Sequence, residues 1–351
     1  MNPANILSLT TEAAVLIEKN RISYANPGAL ELLGKDCIGK TLLSVFGAEL
    51  ADTQASSFAG DVPVNGKHCI VRVNKLDCGQ IIFISPSKVS PIEFNNAIVF
   101  STQNTLSNIN AAIEKGRLQA EKLENENILS SFQVLTRSSY SLSRLMSNVG
   151  IVRNITDGSL HTEKQLLDLS LLYSSIMDTV GRLYPDRSFI LDMGRSICAP
   201  ADHAMALQLL MNLLSNCLMH AEGCTKIRVS LTDSEDSVIL SVSDNGCGIS
   251  PDELHSVFDR YKYSFDAKNM GKGAGLGLAV VRSIAEIHGG TLLMESRSGQ
   301  GTCVRVSLSK KSSEAFRLSA PQTCYFGQMQ SILTGLADCL PQECFSEKFT
   351  D

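Results

Sequence analysis

Two asparagines within a predicted buried helix are the first residues whose type and spacing indicate chemistry. Asn212 and Asn216 are four residues apart in HAMALQLLMNLLSNCLMHA, so they share one helix face beside an apolar stripe that contains Leu209 and Leu213. An unpaired buried amide costs about 1 to 3 kcal/mol, so the pair requires a partner. Mg²⁺ accepts amide oxygens and keeps waters and phosphates as its other ligands. The pair therefore indicates a magnesium site that carries phosphates.

An acidic residue follows a strand pattern farther along the chain. In VILSVSDNGCGIS, apolar residues alternate with polar ones from Val238 to Val242, as in a strand with one buried face. Asp244 continues this alternation, so its carboxylate points to the same side just where the strand ends. Gly246 and Gly248 allow a tight turn and the close approach of a flat ligand. A carboxylate in this place can accept a hydrogen bond from the exocyclic amine of adenine, and an Asp-Asn-Gly hairpin turn is the alternative.

A glycine-rich segment leads directly into another helical pattern in GKGAGLGLAVVRSIAEIHGG, residues 271–290. The free N–H groups at the start of a helix attract anions, and glycines let the backbone reach phosphate oxygens. The GxGxG spacing differs from the dinucleotide fingerprint, and no βαβ unit precedes it. Arg260, Lys262, Lys268 and Lys272 come just before or within the glycine run. They predict a basic lid over a polyphosphate, with a solvated surface loop as the alternative.

The composition favours a globular protein of two or three domains and excludes several classes of function. The chain has 351 residues, of which 44% are hydrophobic and 19% charged, and its net charge is −5. That charge provides no general attraction to nucleic acid or anionic lipid. No apolar stretch approaches the roughly 20 residues of a membrane span, and the start MNPANILSLTTEAA lacks the features of a signal peptide. We therefore expect a cytoplasmic protein without a membrane span.

The cysteines and one histidine are expected to be structural. Eleven cysteines are scattered without a CxxC pair, which favours reduced thiols over disulfides or a zinc site. His288 ends a predicted helix directly before Gly289, so we expect it to cap the helix rather than to act in catalysis. Four cysteines in apolar runs are expected to be small core residues: Cys198, Cys217, Cys303 and Cys339.

The first block of the chain, residues 1–88, combines strand patterns with a short helix. AAVLIEK and RISYANP alternate apolar and polar residues around the turn signal Lys19-Asn20. ANPGALELLG predicts a helix that begins near Asn26-Pro27 and ends at Gly34. HCIVRVNKL and GQIIFISP predict a hairpin around Asp77-Cys78-Gly79.

The second block, residues 89–158, predicts two long helices separated by the charged segment EKLENEN. Two helices with one apolar stripe each cannot bury both stripes alone. We therefore expect a helical hairpin that dimerises into a four-helix bundle, with an intramolecular helical linker as the alternative. The predicted stripes consist of Ile98, Leu106, Ile109 and Ile113, and of Phe132, Leu135, Leu142, Leu145, Val149 and Val152.

The third block, residues 159–310, places the candidate chemistry on alternating helices and strands. The strand SFILDM precedes Asp202, which is expected to cap the helix that carries the two asparagines. KIRVSLT and VILSVSD predict two antiparallel strands. A predicted helix before SFILDM has its apolar face at Leu169, Leu172, Ile176, Val180 and Leu183. The helix capped by Asp202 has its apolar face at Met205, Leu209, Leu213 and Cys217.

The tail, residues 311–351, contains one amphipathic helix pattern, QSILTGLADCLPQECF. Its apolar face consists of Ile332, Leu333, Leu336 and Leu340, and Pro341 ends it. We expect this helix to dock on another surface of the protein or of its dimer, with a partner-binding helix as the alternative.

The first block resembles a PAS sensor domain. The family pattern "aNpaaeellG" after two strands is matched by ANPGALELLG, over about a quarter of the chain. PAS domains hold a small ligand, or relay signals and dimerise. The matching residues are Ala25, Asn26, Pro27, Ala29, Leu32, Leu33 and Gly34.

The third block resembles the ATP-binding domain of sensor histidine kinases when its segments are taken in order. NLLSN matches the N box of that family, and DNGCGI, residues 244–249, matches the G1 box. VFDRY matches the F box and GAGLGLAVVRSIAEIHGG the G2 box. SGQGTCVRVSL matches the closing strand, with Gly299, Gly301 and Thr302 as its marker residues.

The resemblance implies an α+β multidomain protein. Its parts are an N-terminal PAS-like α/β domain, a helical hairpin of a dimeric four-helix bundle and a C-terminal α/β sandwich of the ATPase-like kind. It implies ATP with adenine on Asp244, Mg²⁺ on Asn216 and Asn212, and phosphates along Gly273 to Gly277. The implied partners are a second copy of the chain and a response-regulator receiver domain. The implied nucleotide-binding residues are Asn212, Asn216, Asp244, Gly246, Gly248, Phe258, Arg260, Lys272, Gly273, Gly275, Leu276, Gly277, Leu278 and Thr302.

The sequence departs from the family pattern at several positions. A basic and an aromatic residue usually follow the second asparagine, where this chain has Met219 and His220. At the position of the phosphoacceptor histidine this chain has Phe100, followed by Ser101 in place of an acid. No histidine occurs from 69 to 160, and His161 falls beyond the second helix. A phosphoramidate requires an imidazole nucleophile and a neighbouring base, which this helix does not supply.

Three hypotheses follow from these residues. The first is a dimeric sensor kinase of the histidine-kinase type that binds Mg-ATP, without the usual acceptor histidine. The second is an ATP-binding regulatory pseudokinase or scaffold that signals by changing shape. The third is a serine kinase of the anti-sigma-factor type. Related ATPases that hydrolyse ATP have a Glu four residues before the Mg²⁺ asparagine, where this chain has Asn212, so hydrolysis is not expected.

Overall fold

A computed structural model describes the larger part of each block. The described residues are 7, 10, 12–46, 57–64, 67–76, 79–86, 96–123, 125–156, 162–250, 253–254, 276–311 and 325–345.

The N-terminal block is an α/β unit whose local structure follows its turn and cap residues. Strands β1 (Ala13–Glu18) and β2 (Arg21–Ala25) form a hairpin in which Lys19 and Asn20 have φ of 48° and 63°. Positive φ at both turn residues matches the right-handed twist of the strands. Helix α1 (Pro27–Leu33) follows, and the Asn26 side chain accepts from the N–H of Ala29 at 3.0 Å. The predicted hairpin and capped helix are confirmed.

Strands β3 (Ser57–Val64), β4 (Lys67–Leu76) and β5 (Gly79–Pro86) complete a five-stranded antiparallel sheet in the order β2-β1-β5-β4-β3. Strands β4 and β5 form the hairpin predicted around residues 77 to 79. The core of the N-terminal block contains Val15, Ile22, Phe46, Val71 and Ile82. A 3₁₀ helix (Lys35–Cys37) and helix α2 (Leu42–Phe46) lie between β2 and β3 in the chain.

Two long helices, α3 (Asn96–Lys122) and α4 (Glu126–Thr156), form the predicted hairpin. They pack closely, because a Cβ on Gly116 of α3 would collide with the Phe132 ring of α4. The apolar stripes are only partly buried within one chain. Leu106, Ile113, Val149 and Val152 are buried, whereas Ile109, Leu135 and Leu142 are 43%, 50% and 41% exposed.

The C-terminal block is an α/β domain with a mixed sheet. Its elements are β6 (Gln165–Asp168), α5 (Leu169–Leu183), β7 (Ser188–Met193), β8 (Cys198–Ala201), α6 (His203–His220), β9 (Lys226–Asp233), β10 (Ser237–Asp244), α7 (Leu276–Ile287), β11 (Leu292–Arg297) and β12 (Gly301–Ser309). In the sheet, β12, β10 and β9 are neighbours that pair antiparallel, and β7 pairs parallel with β9.

The predicted apolar faces of this block form its core. The five predicted residues of α5 and the four of α6 are all buried, and they pack on Val238, Leu240 and Val242 of β10. Asp202 caps α6, because its Oδ1 accepts from the N–H of Met205 at 3.1 Å. The helix and strand predictions are thus confirmed here.

One sheet runs through both blocks, which the sequence does not indicate. Strand β3 of the N-terminal block pairs antiparallel with β11 of the C-terminal block, and a ten-stranded sheet results.

The tail docks on another surface of the same chain, as expected from its apolar helix face. Helix α8 (Tyr325–Gly335) and a 3₁₀ helix (Gln342–Phe345) follow, and the predicted residues Ile332, Leu333, Leu336 and Leu340 are all buried in the core of the C-terminal block. Helix α4 contacts the tail through Arg144, whose guanidinium lies 2.8 Å from the Asp338 carboxylate. Among the described residues, no helix has the length and apolar character needed to cross a membrane.

Candidate functional site

The two asparagines of α6 lie on one buried face, as their spacing predicts. Asn212 is 1% exposed, and its Nδ2 donates to the carbonyl of Gln208 at 2.9 Å. The Nδ2 of Asn216 is buried, and no group in the described part of the chain accepts from it. A buried amide without a partner is costly, so Asn216 has hydrogen-bonding capacity that a ligand could use.

The side-chain oxygens of both asparagines converge on the first turn of α7. A Cβ placed on Gly277 would lie 3.2 Å from Asn212 Oδ1 and 3.3 Å from Asn216 Oδ1. The glycine therefore permits two helices to approach closely enough for two oxygen ligands to face the start of α7. The structure thus brings together the N-box and G2-box segments, which are more than fifty residues apart in the sequence.

Asp244 lies at the end of β10, beside the C-terminal half of α6. Its Oδ1 accepts from the N–H of Gly246 at 2.9 Å. Cys217 of α6 lies beside it, and burial, followed by the Asp244 carboxylate, raises the pKa of the Cys217 thiol well above its usual range. Asp244 therefore faces the helix layer, as the alternation along β10 predicts.

Glycines shape the turn that follows Asp244. A Cβ on Gly246 would lie 2.6 Å from the Cβ of Ala221 at the end of α6. Gly248 has φ of 66°, and a Cβ there would collide with the carbonyl oxygen of Arg297. The N–H of Ile249 donates to Ser296 Oγ on β11 at 2.8 Å. The turn is thus fixed between α6 and β11.

The other predicted nucleotide-binding residues in the described ranges surround this turn and the start of α7. Thr302 Oγ1 lies 2.8 Å from Ser296 Oγ, the atom that accepts from the N–H of Ile249, so Thr302 supports the turn through Ser296. Leu276 is buried against Val149 of α4, whereas Leu278 is half-buried against the main core. Five predicted residues lie outside the described ranges: Phe258, Arg260, Lys272, Gly273 and Gly275. Phe100, as a side chain, and His161 also lie outside them.

Helix α4 adds residues to this site that sequence reasoning missed. Asn148 is 5% exposed, and its Nδ2 donates to Asn212 Oδ1 at 3.3 Å. Its Oδ1 accepts from Nε2 of Gln208 at 2.8 Å. Asn148 is 64 residues from Asn212 and sits in a serine-rich helix that carries no recognised motif. No sequence signal could have found it.

The two positions after Asn216 that depart from the family pattern, Met219 and His220, have local structural roles. Burial, followed by the charge of Arg144, lowers the pKa of His220, which favours its neutral form. The sulfur of Met219 accepts from the hydroxyl of Ser215 at 3.6 Å. His220 also borders an open cavity of about 610 Å³, lined by Arg187 and residues 218–225.

His288 has a structural role, as predicted. Its Nδ1 donates to the carbonyl of Ile284 at 2.7 Å, and its Nε2 accepts from the N–H of Asp202 at 3.2 Å. It therefore ties the end of α7 to the cap of α6. Within the described ranges, nine cysteines are free, and no cluster of three or more His, Cys, Asp or Glu could hold a metal ion.

The C-terminal block matches a known family of ATPases. Residues 201–312 match the family described as histidine kinase-, DNA gyrase B- and HSP90-like ATPases. This range contains both asparagines, Asp244, the described part of α7 and Thr302.

Similar curated proteins are sensor kinases. The chain is 27% identical over 191 residues to the sensor histidine kinase YvrG of Bacillus subtilis, which covers 53% of this chain and 33% of YvrG. It is 24% identical over 319 residues to the sensor protein kinase WalK of Staphylococcus epidermidis, covering 83% of this chain and 52% of WalK. It is 36% identical over 108 residues to the histidine protein kinase DivJ of Caulobacter vibrioides, covering 31% of this chain and 18% of DivJ. The chain thus spans about a third to a half of the first two relatives.

Proposed function

We propose that this chain, which belongs to the sensor histidine kinase family, binds Mg-ATP between α6, α7 and the end of β10 and uses that binding in signal transduction. The observation that carries the proposal is the convergence of the Asn212 and Asn216 oxygens on Gly277 at the start of α7. Two amide oxygens and a helix N-terminus are what a magnesium-bound polyphosphate requires.

The residues at the phosphate end fit Mg²⁺ and phosphate together. We assign Mg²⁺ to the Oδ1 atoms of Asn216 and Asn212, because hard cations prefer oxygen ligands. The Nδ2 of Asn216, which has no acceptor in the described part of the chain, then donates to a phosphate oxygen. The bound ion supplies charge neutralisation for the polyphosphate.

The residues at the other end fit an adenine ring. Asp244 faces the helix layer, where its Oδ1 accepts from the N–H of Gly246 and its carboxylate also hydrogen-bonds with Cys217. A carboxylate has about four acceptor positions, so it can also accept from the exocyclic amine. Gly246 and Gly248 leave two positions of the turn beside it without a side chain. Phe258, Arg260, Lys272, Gly273 and Gly275 complete the proposed site by their match to the family motifs.

The proposed architecture is a PAS-like sensor over residues 1–88, a dimerisation hairpin over 89–158, the nucleotide-binding domain over 159–310 and a tail over 311–351. Three apolar side chains of the hairpin, Ile109, Leu135 and Leu142, are between 41% and 50% exposed. Burying them against a second copy would complete a four-helix bundle and give a homodimer. The proposed downstream partner is a response-regulator receiver domain.

A second candidate function is a regulatory pseudokinase, and one observation favours it. No histidine occurs from 69 to 160, so the hairpin has no imidazole to receive the γ-phosphoryl group. In this candidate, nucleotide binding changes the packing of the domain and the signal is passed by binding alone.

Calorimetry with ATP and Mg²⁺ tests the nucleotide site. We expect the unaltered chain to bind Mg-ATP, and Asp244→Asn to lose adenine nucleotide binding while it stays folded by circular dichroism. The carboxamide would present a donor to the exocyclic amine, which needs an acceptor. Undiminished ATP affinity in this variant would defeat the site assignment.

Incubation with γ-labelled ATP, with and without receiver domains, separates the candidate functions. Acid-labile label on the chain supports a histidine-kinase activity that uses another histidine. Binding without any label supports the regulatory pseudokinase. Acid-stable label on an added protein supports a serine kinase of the anti-sigma-factor type.

A further inference from the structure

Strand β11 joins the two α/β blocks of the chain. Its residues Leu292 to Glu295 pair antiparallel with Asp61 to Phe58 of β3. Leu292, Leu293 and Met294 are 1%, 3% and 2% exposed. A strand with one covered face would alternate between buried and exposed residues, so three consecutive buried residues show that both faces of β11 are covered here.

The two cores interlock across this strand pair. Leu293 packs in the core of the N-terminal block, whereas Ala59 of β3 and Ile70 of β4 pack in the core of the C-terminal block. A Cβ on Gly60 would collide with the Leu293 side chain and lie 3.0 Å from the carbonyl oxygen of Leu292. The junction therefore depends on a residue without a side chain at position 60.

The next residues of β11 hold the turn that follows Asp244. Ser296 Oγ accepts from the N–H of Ile249 at 2.8 Å, and the carbonyl oxygen of Arg297 lies against Gly248. Beyond the end of the strand, the N–H of Gly299 donates to the carbonyl of Cys247 at 2.6 Å. Glu295, which pairs with β3, and Ser296, which holds the turn, are adjacent in one stiff extended segment.

We propose that the N-terminal block regulates nucleotide affinity through β11, by a route that does not pass through the helical hairpin. This inference rests on the proposed Mg-ATP site. Pairing of β3 keeps β11 in the position from which it fixes the turn after Asp244, and loss of the pairing releases that turn. A ligand or contact that alters the N-terminal sheet thereby alters the adenine end of the site. Because coupling between two sites is reciprocal, nucleotide binding must in turn stabilise the β3 pairing.

Hydrogen exchange read by mass spectrometry, on the full unaltered chain with and without Mg-ATP, tests this reciprocity. We expect Mg-ATP to slow amide exchange in residues 57–64 as well as in residues 245–249. Slowed exchange at 245–249 with unchanged exchange at 57–64 would overturn the inference and leave the proposed function standing. Absence of any Mg-ATP binding would defeat the proposed function, and this inference with it.

A variant tests the same route from the other end. We expect Gly60→Val to weaken Mg-ATP binding at least about fivefold, the lower range of measured couplings between sites. Gly181→Val is the matched control, because a Cβ on Gly181 of α5 meets no atom within 4 Å. Wild-type affinity in a folded Gly60→Val chain would refute the route. If that variant does not fold, the exchange measurement on the unaltered chain decides alone.

Discussion

The side-chain amides of Asn148 and Asn212 form a reciprocal hydrogen-bonded pair. Asn148 Nδ2 donates to Asn212 Oδ1 at 3.3 Å, and Asn212 Nδ2 lies 3.5 Å from Asn148 Oδ1. Both side chains are buried, although one belongs to the helical hairpin and the other to the proposed magnesium site. The oxygen that Mg²⁺ would use therefore already accepts a hydrogen bond from α4.

Asn148→Ala should strengthen Mg-ATP binding. The substitution removes a donor that competes with Mg²⁺ for Asn212 Oδ1, and it opens space beside that oxygen. The net free energy of such a hydrogen bond is about 1 kcal/mol, which corresponds to an increase in affinity of about fivefold. Calorimetric titration of Mg-ATP into the variant and the unaltered chain measures the change.

Ser147→Ala is the matched control for this prediction. Ser147 precedes Asn148 on α4, and its Oγ accepts from Gln208 Nε2 at 3.2 Å. We expect the Mg-ATP affinity of this variant to stay within about twofold of the unaltered chain, since a substitution away from the proposed magnesium ligands has a small effect. Equal effects of the two substitutions would show that general loosening of α4, and not the Asn212 contact, controls the site.

Gly277→Ala should change stability and nucleotide affinity in opposite directions. Alanine favours a helix over glycine by up to about 1 kcal/mol, so the helix itself gains stability. Its Cβ, however, would sit 3.2 Å and 3.3 Å from the two asparagine oxygens and push them away from their shared position. We expect Mg-ATP affinity to fall about tenfold, which is about 1.4 kcal/mol.

Thermal unfolding and calorimetry together check the Gly277 prediction. Gly181→Ala in α5 is the control, because the added Cβ has open space there and the variant should keep its Mg-ATP affinity. Unchanged affinity in Gly277→Ala would mean that the asparagine oxygens do not bind the ion at this place.

The parts of the site that local patterns encode could be predicted from the sequence. Helical periodicity placed Asn212 and Asn216 on one face, and strand alternation placed Asp244 on the side of the helices. Both periodicities are properties of the backbone and need no knowledge of the rest of the fold. The Lys19-Asn20 turn and the caps at Asn26 and Asp202 are local for the same reason.

The contacts between distant segments could not be predicted. The Asn148 pair with Asn212 depends on how the hairpin lies across α6, and the β3 pairing with β11 depends on two sheet edges meeting. Neither relationship has a period or a motif, because it is decided by shape and burial after the elements have formed. The hairpin stripes illustrate the same limit, since Leu106 is buried but Ile109 on the same predicted stripe is 43% exposed.

Leu336→Ala should destabilise the folded chain substantially. Leu336 lies after α8 with 0% of its surface exposed, in the core of the C-terminal block. Truncation of a buried leucine costs about 2 to 5 kcal/mol because a cavity remains. Urea unfolding measures the loss. Leu123→Ala is the matched control, because Leu123 is 72% exposed and its loss should cost less than about 0.5 kcal/mol. Equal losses in both variants would show that the tail is not part of the folded core.

The stability of the C-terminal block should fall as the pH is lowered, in part because of His288. Burial is the main factor that lowers the pKa of this imidazole, Lys164 lowers it further, and Ile284 and Asp202 act in the opposite direction. The neutral ring donates from Nδ1 and accepts at Nε2, and a proton on Nε2 would face the N–H of Asp202. The unfolded chain, with a histidine pKa of about 6.5, therefore binds more protons than the folded chain below that pH.

The stabilisation is accordingly complete above about pH 6.5 and is lost as the pH falls below it, at a slope of at most about 1.4 kcal/mol per pH unit for one group. We expect urea unfolding at about pH 7.5 and about pH 5.5 to show a smaller loss of stability in His288→Gln than in the unaltered chain. Part of the loss should remain, because burial also lowers the pKa of His220. An identical pH dependence in the variant and the unaltered chain would mean that the fold does not lower the pKa of His288.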